Sequence, residues 1–177
     1  MEEKAQLKSI EYQGIVCALM LLKQRLANFY VTNIMDSWVP FTAVIEMSAL
    51  VDRKTFGGNA LVYLPKYVTS DDPFFTASDE EVKESFTTAL LRMYPHLLQS
   101  DLLCFRVSRV RYVHAISTLN YSQRLPATAT SLPGVHIVNS AHIVNGTLNV
   151  NETVQLAEKA AEKFSSLPDS LFRIRHV

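Results

Sequence analysis

Two kinds of hydrophobic pattern divide the chain. Residues 12–22, YQGIVCALMLL, form an almost continuous apolar run with Gly14 near its start. Such a run fits a strand covered on both faces, and periodicity alone leaves a short buried helix open. Residues 28–35 (NFYVTNIM) and 41–50 (FTAVIEMSAL) are rich in β-branched and aromatic side chains, and Asp36-Ser37-Trp38-Val39-Pro40 between them reads as a turn. Gly57-Gly58-Asn59 marks a further turn, before a strand over 60–67 in which Pro65 predicts the end or an edge position. Four strands joined by short connections predict a largely antiparallel sheet.

The period then changes. Ser78 and Glu81 have capping-box spacing, and Val82, Phe86, Ala89, Leu90 and Met93 recur on one helical face before Pro95 ends the helix. Residues 102–115 alternate from Phe105 onward, which predicts a strand bent near Val110-Arg111. A proline-containing loop over 117–133 leads to a short strand, Val135 to Asn139, and then to a polar loop from Ser140 to Leu148. A second amphipathic helix starts near Asn149, with Val150, Val154, Ala157, Ala161 and Phe164 predicted on its inner face. The order β-β-β-β-α-β-β-α gives an α+β fold, a mixed and mainly antiparallel sheet with helices packed on one face. The last strand–loop–helix reads as a separate layer, so the chain is divided into 1–130 and 131–177.

Composition narrows the class. In 177 residues the hydrophobic content is 48% and the charged content 19%, as in a folded globular chain. Seventeen basic and seventeen acidic residues cancel, which disfavours nucleic acid as a partner. The longest apolar stretch, Ile15 to Leu22, is too short to span a bilayer, and it lacks the features of a signal peptide. Cys17 and Cys104 lie in apolar runs and read as reduced thiols, so the expectation is a soluble, cytoplasmic protein. His136 and His142 have no Cys or carboxylate at ligand spacing, so no metal site is expected. The arginines at 106, 109 and 111 fall on both faces of one strand and make no phosphate clamp. The five glycines, Gly14, Gly57, Gly58, Gly134 and Gly146, cannot supply a GxGxxG loop or a P-loop.

One stretch carries more information. From Leu132-Pro133-Gly134 a short apolar strand runs into small polar residues, the chain passes through Gly146, and a helix opens at Asn149. The start of a helix presents unpaired N–H groups, suited to a phosphate or a flavin carbonyl; Asn149 as a simple N-cap is the alternative. This segment, down to Ala160-Ala161, resembles the C-terminal segment of FAD-dependent amine-oxidase-like and protoporphyrinogen-oxidase-like flavoproteins. Asn28 to Asp36 followed by Val39 to Glu46 is similar to that family's "Tyr-…-Asn-Ile-x-Asp-…-Pro-Phe-x-x-Val-Ile-Glu" stretch. Gly58 to Tyr67 is similar to its "Gly-x-x-Leu-x-Tyr-Leu-x-x-Tyr" strand. The likeness runs in order over about residues 12–165.

The resemblance implies a role. The family's glycine-rich unit would lie upstream of these motifs, so the chain is expected to be the substrate-binding insert plus the last FAD-contacting strand and helix. FAD would belong to a longer parent, with none bound by this chain alone, and the missing FAD-binding half or a second copy would be its partner. Ser140 and Ala141, with Thr147, Leu148, Asn149 and Val150, would then lie along the cofactor. Tyr30, Asn33, Glu46, Tyr67, His114 and Tyr121 would line the pocket of a small-molecule substrate. Turn capping by Asp36, an exposed strand position for Glu46, sheet packing for Tyr63 and a structural role for His114 stand beside these roles. The competing class is a non-enzymatic binding or assembly module, and exposed apolar surface predicts a dimer under either reading.

Overall fold

The apolar run at 12–22 is a strand, β1 (Tyr12–Leu22), with β2 (Val31–Asn33), β3 (Ala43–Glu46) and β4 (Ala60–Thr69) following it. The computed structural model describes residues 2–144 and 146–166. Two compact units make up the chain, one spanning Gln13–Val113 and the other formed by Met1–Tyr12 with His114–Val177. The predicted 131–177 segment lies within the second unit, and its residues 145 and 167–177 fall outside the described residues.

The strands form a five-stranded sheet in the order β2-β3-β4-β1-β5, where β5 is Leu102–Ala115. β1 pairs antiparallel with β4, β4 with β3 and β3 with β2. Lys23 N–H donates to the Asp101 carbonyl and Ile116 N–H to that of Glu11, so β1 and β5 are also antiparallel. All the pairings are therefore antiparallel, in an α+β arrangement.

The sheet is covered unequally. Val16, Ala18, Met20 and Leu22 are fully buried, whereas Ile15, Cys17, Leu19 and Leu21 are half-buried, so the expectation of cover on both faces of β1 is corrected. The cause is helix α2 (Asp79–Met93), which packs Val82, Phe86, Ala89 and Leu90 into one core with those β1 residues and with Val44, Val62 and Leu64. Phe86 sits at the centre, edge-on to Phe41 with ring centroids 5.4 Å apart. The helix begins at the predicted capping box: Glu81 N–H donates to Ser78 Oγ at 3.1 Å, and Ser78 N–H donates to Glu81 Oε2 at 2.7 Å. Gly14 is required by its neighbours, because a Cβ there would lie 2.4 Å from Phe75 Cζ and 3.0 Å from the Val110 carbonyl.

Pro65 neither ends β4 nor sits on an edge, since β4 runs on to Thr69 between β1 and β3. A strand residue's N–H and C=O point to the same neighbour, and the Pro65 carbonyl accepts from Thr42 N–H and Oγ at 2.8 Å each. The missing proline donor thus faces the β3 side where β3 begins, since Thr42 directly precedes its first residue, Ala43.

The second unit is lightly packed. It contains α1 (Glu2–Lys8), α3 (Tyr121–Arg124) and α4 (Val150–Ser165), with Ala115, Tyr121 and Ala141 buried together against Ile10, Tyr12 and Leu125. Val135 to Asn139 does not form the predicted strand. An isolated bridge joins Ala129 to His136, and its partner segment is cut short by Pro126 and by the turn at Ser131 to Gly134. Helix α4 starts where predicted, but of the predicted inner face only Phe164 turns inward. Glu152, Leu156, Ala160 and Phe164 are half-buried, and Val150, Val154, Ala157 and Ala161 are exposed. The Phe164 ring fixes that orientation by packing 4.5 Å from the His136 ring.

Candidate functional site

Strand pairing fixes which side chains share the less covered face of the sheet. Opposite Ile15, Cys17, Leu19 and Leu21 of β1 stand Tyr67, Pro65, Tyr63 and Leu61 of β4. Ile45 stands opposite Tyr63, Val31 opposite Ile45, and Asn33 opposite Ala43. Because alternate residues share a face, Asn33 and Tyr67 lie on one wall with Tyr63 and Leu19. Of the residues expected to line a substrate pocket, these two are brought onto a common surface. Tyr67 is half-exposed there.

Phe105 and Val107 of β5 pack toward the core, which turns Arg106 and Ser108 to the other face. Cys17, Leu19, Tyr63, Arg106, Val107 and Ser108 line an open hollow of about 320 Å³. Burial pushes the Cys17 thiol above its ordinary range, so it stands there as an apolar group and not as a thiolate nucleophile.

Glu46 lies on the opposite face. It is 1% exposed, and its carboxylate accepts from Arg25 Nε at 3.2 Å, Ala27 N–H at 3.1 Å and Ser48 Oγ at 3.0 Å. The alternative of an exposed strand position is thereby corrected; the carboxylate ties β3 to the chain that follows β1. Tyr30 lies in the approach to β2 with its side chain exposed, and its carbonyl accepts from Glu46 N–H at 2.8 Å. Sequence reasoning missed the wall formed by Cys17, Leu19 and Arg106. The signal was parity: once β1 and β4 are paired, the odd-numbered residues of both must share a face.

In the other unit, Tyr121 is buried and its hydroxyl donates to the Ala141 carbonyl at 2.8 Å. Burial raises the Tyr121 pKa above the ordinary phenol value, and Tyr12 adds to the effect. Ala141 is fully buried, and its N–H donates to Asn139 Oδ1 at 3.0 Å. Both backbone groups of Ala141 therefore hold the 139–142 turn together, with Tyr121 as its prop. His114 is half-buried, with Nδ1 enclosed and unpartnered among the described residues.

Thr147, Leu148, Asn149 and Val150 are all exposed. Asn149 is the N-cap of α4: Oδ1 accepts from Glu152 N–H at 2.9 Å, and Nδ2 donates to the Thr147 carbonyl at 3.0 Å. The N–H groups of Val150 and Asn151 have no acceptor among the described residues. A donor pair at the positive end of a long helix suits a phosphate or a flavin carbonyl, so the residues present fit such a group.

No family model and no curated protein matches the sequence. Solved structures do match the fold. A protein assigned as a protoporphyrinogen oxidase from Exiguobacterium sp. 255-15 superposes with a TM-score of 0.72 at 13% identity, over 90% of this chain and 36% of that one. An oxidoreductase from Methanosarcina mazei gives 0.64 at 15% identity, over 90% and 36% of the two chains. Reduced UDP-galactopyranose mutase gives 0.57 at 14% identity, over 68% and 26%. The chain thus spans between 26% and 36% of the length of these proteins. At such identities the likeness is one of fold, and the fold is the one that the resemblance to FAD-dependent amine-oxidase-like and protoporphyrinogen-oxidase-like proteins implies.

Proposed function

We propose that the chain supplies the substrate-facing sheet and the cofactor-closing segment of an FAD-dependent oxidoreductase acting on a small molecule. The observation that carries this reading is the sheet, with one face built into a core and the other left as an apolar, tyrosine-bearing wall. In this reading residues 1–130 shape the substrate pocket and 131–177 close the FAD site. Tyr67, Tyr63 and Asn33 orient substrate on the wall, and Ser140 with Thr147 to Val150 faces the cofactor. A bound flavin would accept the hydride, while the chain's own residues position substrate and keep water from it. The chain alone is then inactive and holds FAD weakly, because no glycine-rich loop lies within it to grip the pyrophosphate.

Titration of the isotope-labelled chain with FAD, followed by amide NMR, tests this. The expected result is shifts confined to Ser140 and Thr147–Val150, with no flavin absorbance kept after desalting. Stoichiometric retention of FAD, or shifts that avoid these residues, would overturn it.

A second reading is an assembly module, and one observation favours it: Val150 and Val154 of α4 are 77% and 48% exposed on the same stripe as Ala157 and Ala161. Sedimentation with and without FAD separates the two. A stable dimer indifferent to FAD supports assembly, and a change with FAD supports the flavoprotein reading.

A further inference from the structure

Three arginines on β5 have different surroundings. Arg109 donates to Asp79 Oδ1 at 2.6 Å and to the Ala77 carbonyl at 2.8 Å, which fastens the strand to the start of α2. Arg111 donates to the Ser70 carbonyl and lies over the Phe75 ring. Both are committed to holding the fold. Arg106 points to the opposite face of the sheet, where it has neither an ion pair nor a hydrogen-bond acceptor among the described residues.

Its neighbours sharpen the contrast. The positions of β1, β3 and β4 on that face are Gln13, Ile15, Cys17, Leu19, Leu21, Ala43, Ile45, Leu61, Tyr63, Pro65, Tyr67 and Thr69, and none of them carries charge. Arg106 is the one charged residue among those that line the hollow, the others being Cys17, Leu19, Tyr63, Val107 and Ser108. A guanidinium offers a planar fork of donors matched to a carboxylate. The hollow, about 320 Å³, falls within the range of small-ligand sites.

We infer that Arg106 and Ser108, with Leu19 and Tyr63, form a subsite for the carboxylate end of an otherwise apolar small molecule. This deepens the proposed function and rests on its reading of the sheet face as the substrate wall. The carboxylate bridges Arg106 and the Ser108 hydroxyl, and the apolar body lies along Leu19 and Tyr63. Tyr63 is thus a specificity residue, and sheet packing is not its whole role.

The test uses the full chain and a matched pair of probes, 4-phenylbutyrate and 4-phenylbutanol, followed by amide NMR. The acid is expected to shift Leu19, Tyr63 and Arg106 to Ser108, and to bind about tenfold more tightly than the alcohol. Arg106→Ala should lower the acid to the affinity of the alcohol and leave the alcohol unchanged, with Arg106→Lys in between. Arg106 is exposed, so an unchanged melting temperature is expected in both variants and shows that they are folded. Equal binding of acid and alcohol would overturn the anion subsite and leave the apolar wall standing. Binding of neither probe, or shifts elsewhere, would overturn the subsite together with the reading of this face as a substrate wall. FAD-dependent shifts at Thr147–Val150 would be unaffected by either outcome.

Discussion

The two units differ in how fully each satisfies itself. In Gln13–Val113, β1, β4 and α2 bury Val16, Met20, Val62, Leu64, Val82, Phe86 and Leu90 almost completely. In the other unit the 16-residue helix α4 buries no side chain fully, and its most apolar stripe faces outward. Most helical stability in proteins comes from packing an apolar face, so the first unit has what it needs and α4 does not. Val150 and Val154 stand exposed on this helix. The sheet shows the same asymmetry, with one face closed by α2 and the other left as a wall.

Substitutions can break or sharpen this contrast. The largest effect is expected from Phe86→Ala, which empties the centre of the first core and should cost about 3–5 kcal/mol in denaturant unfolding. Glu46→Ala removes the acceptor of Arg25, Ala27 N–H and Ser48 at a buried position, and about 2–3 kcal/mol is expected by the same measurement. Tyr121→Phe deletes the hydroxyl that holds the Ala141 carbonyl and should cost about 1 kcal/mol. That loss should appear as faster hydrogen exchange around residues 139–142, with the core of the first unit unchanged. Val154→Ser should move the melting temperature little, since an exposed substitution is worth about 0.5 kcal/mol or less. A large loss from Val154→Ser would show that α4 already buries this face and would dissolve the contrast.

A pH effect distinguishes the polar anchors. Leu98 N–H, then Gln24, hold the Asp101 carboxyl below its ordinary range. A depressed folded pKa stabilises above the unfolded value, and the contribution is lost as pH falls through the folded one. Stability should therefore drop in acid below about pH 4, and Asp101→Asn should flatten that limb of the urea midpoint plotted against pH.

Much of the first unit was legible because its local signals agree with its packing. The bounds of β1 follow from its apolar run, and the Ser78–Glu81 cap and the Val82/Phe86/Leu90 face from capping and periodicity. Pro65 misled because the missing donor was assumed to need an edge, whereas it needs only a place opposite one end of the neighbouring strand, here the start of β3. The α4 face misled for a deeper reason. An apolar stripe is read as buried, and here the residues turned inward are Glu152, Leu156, Ala160 and Phe164, with His136 fixing Phe164. Pattern reports what can be buried, and here Val150, Val154, Ala157 and Ala161 stay exposed. The wall carrying Tyr63 and Tyr67 was half legible, since the tyrosines were noticed but their common face needed the β1–β4 register.

Hydrogen exchange resolved along the chain, at neutral pH and without FAD, tests the central claim most directly. Amides of β1, β4 and α2 are expected to exchange only through global opening, while those of α4 exchange through local opening at far lower free energy. Protection of α4 equal to that of α2 in the free chain would contradict it.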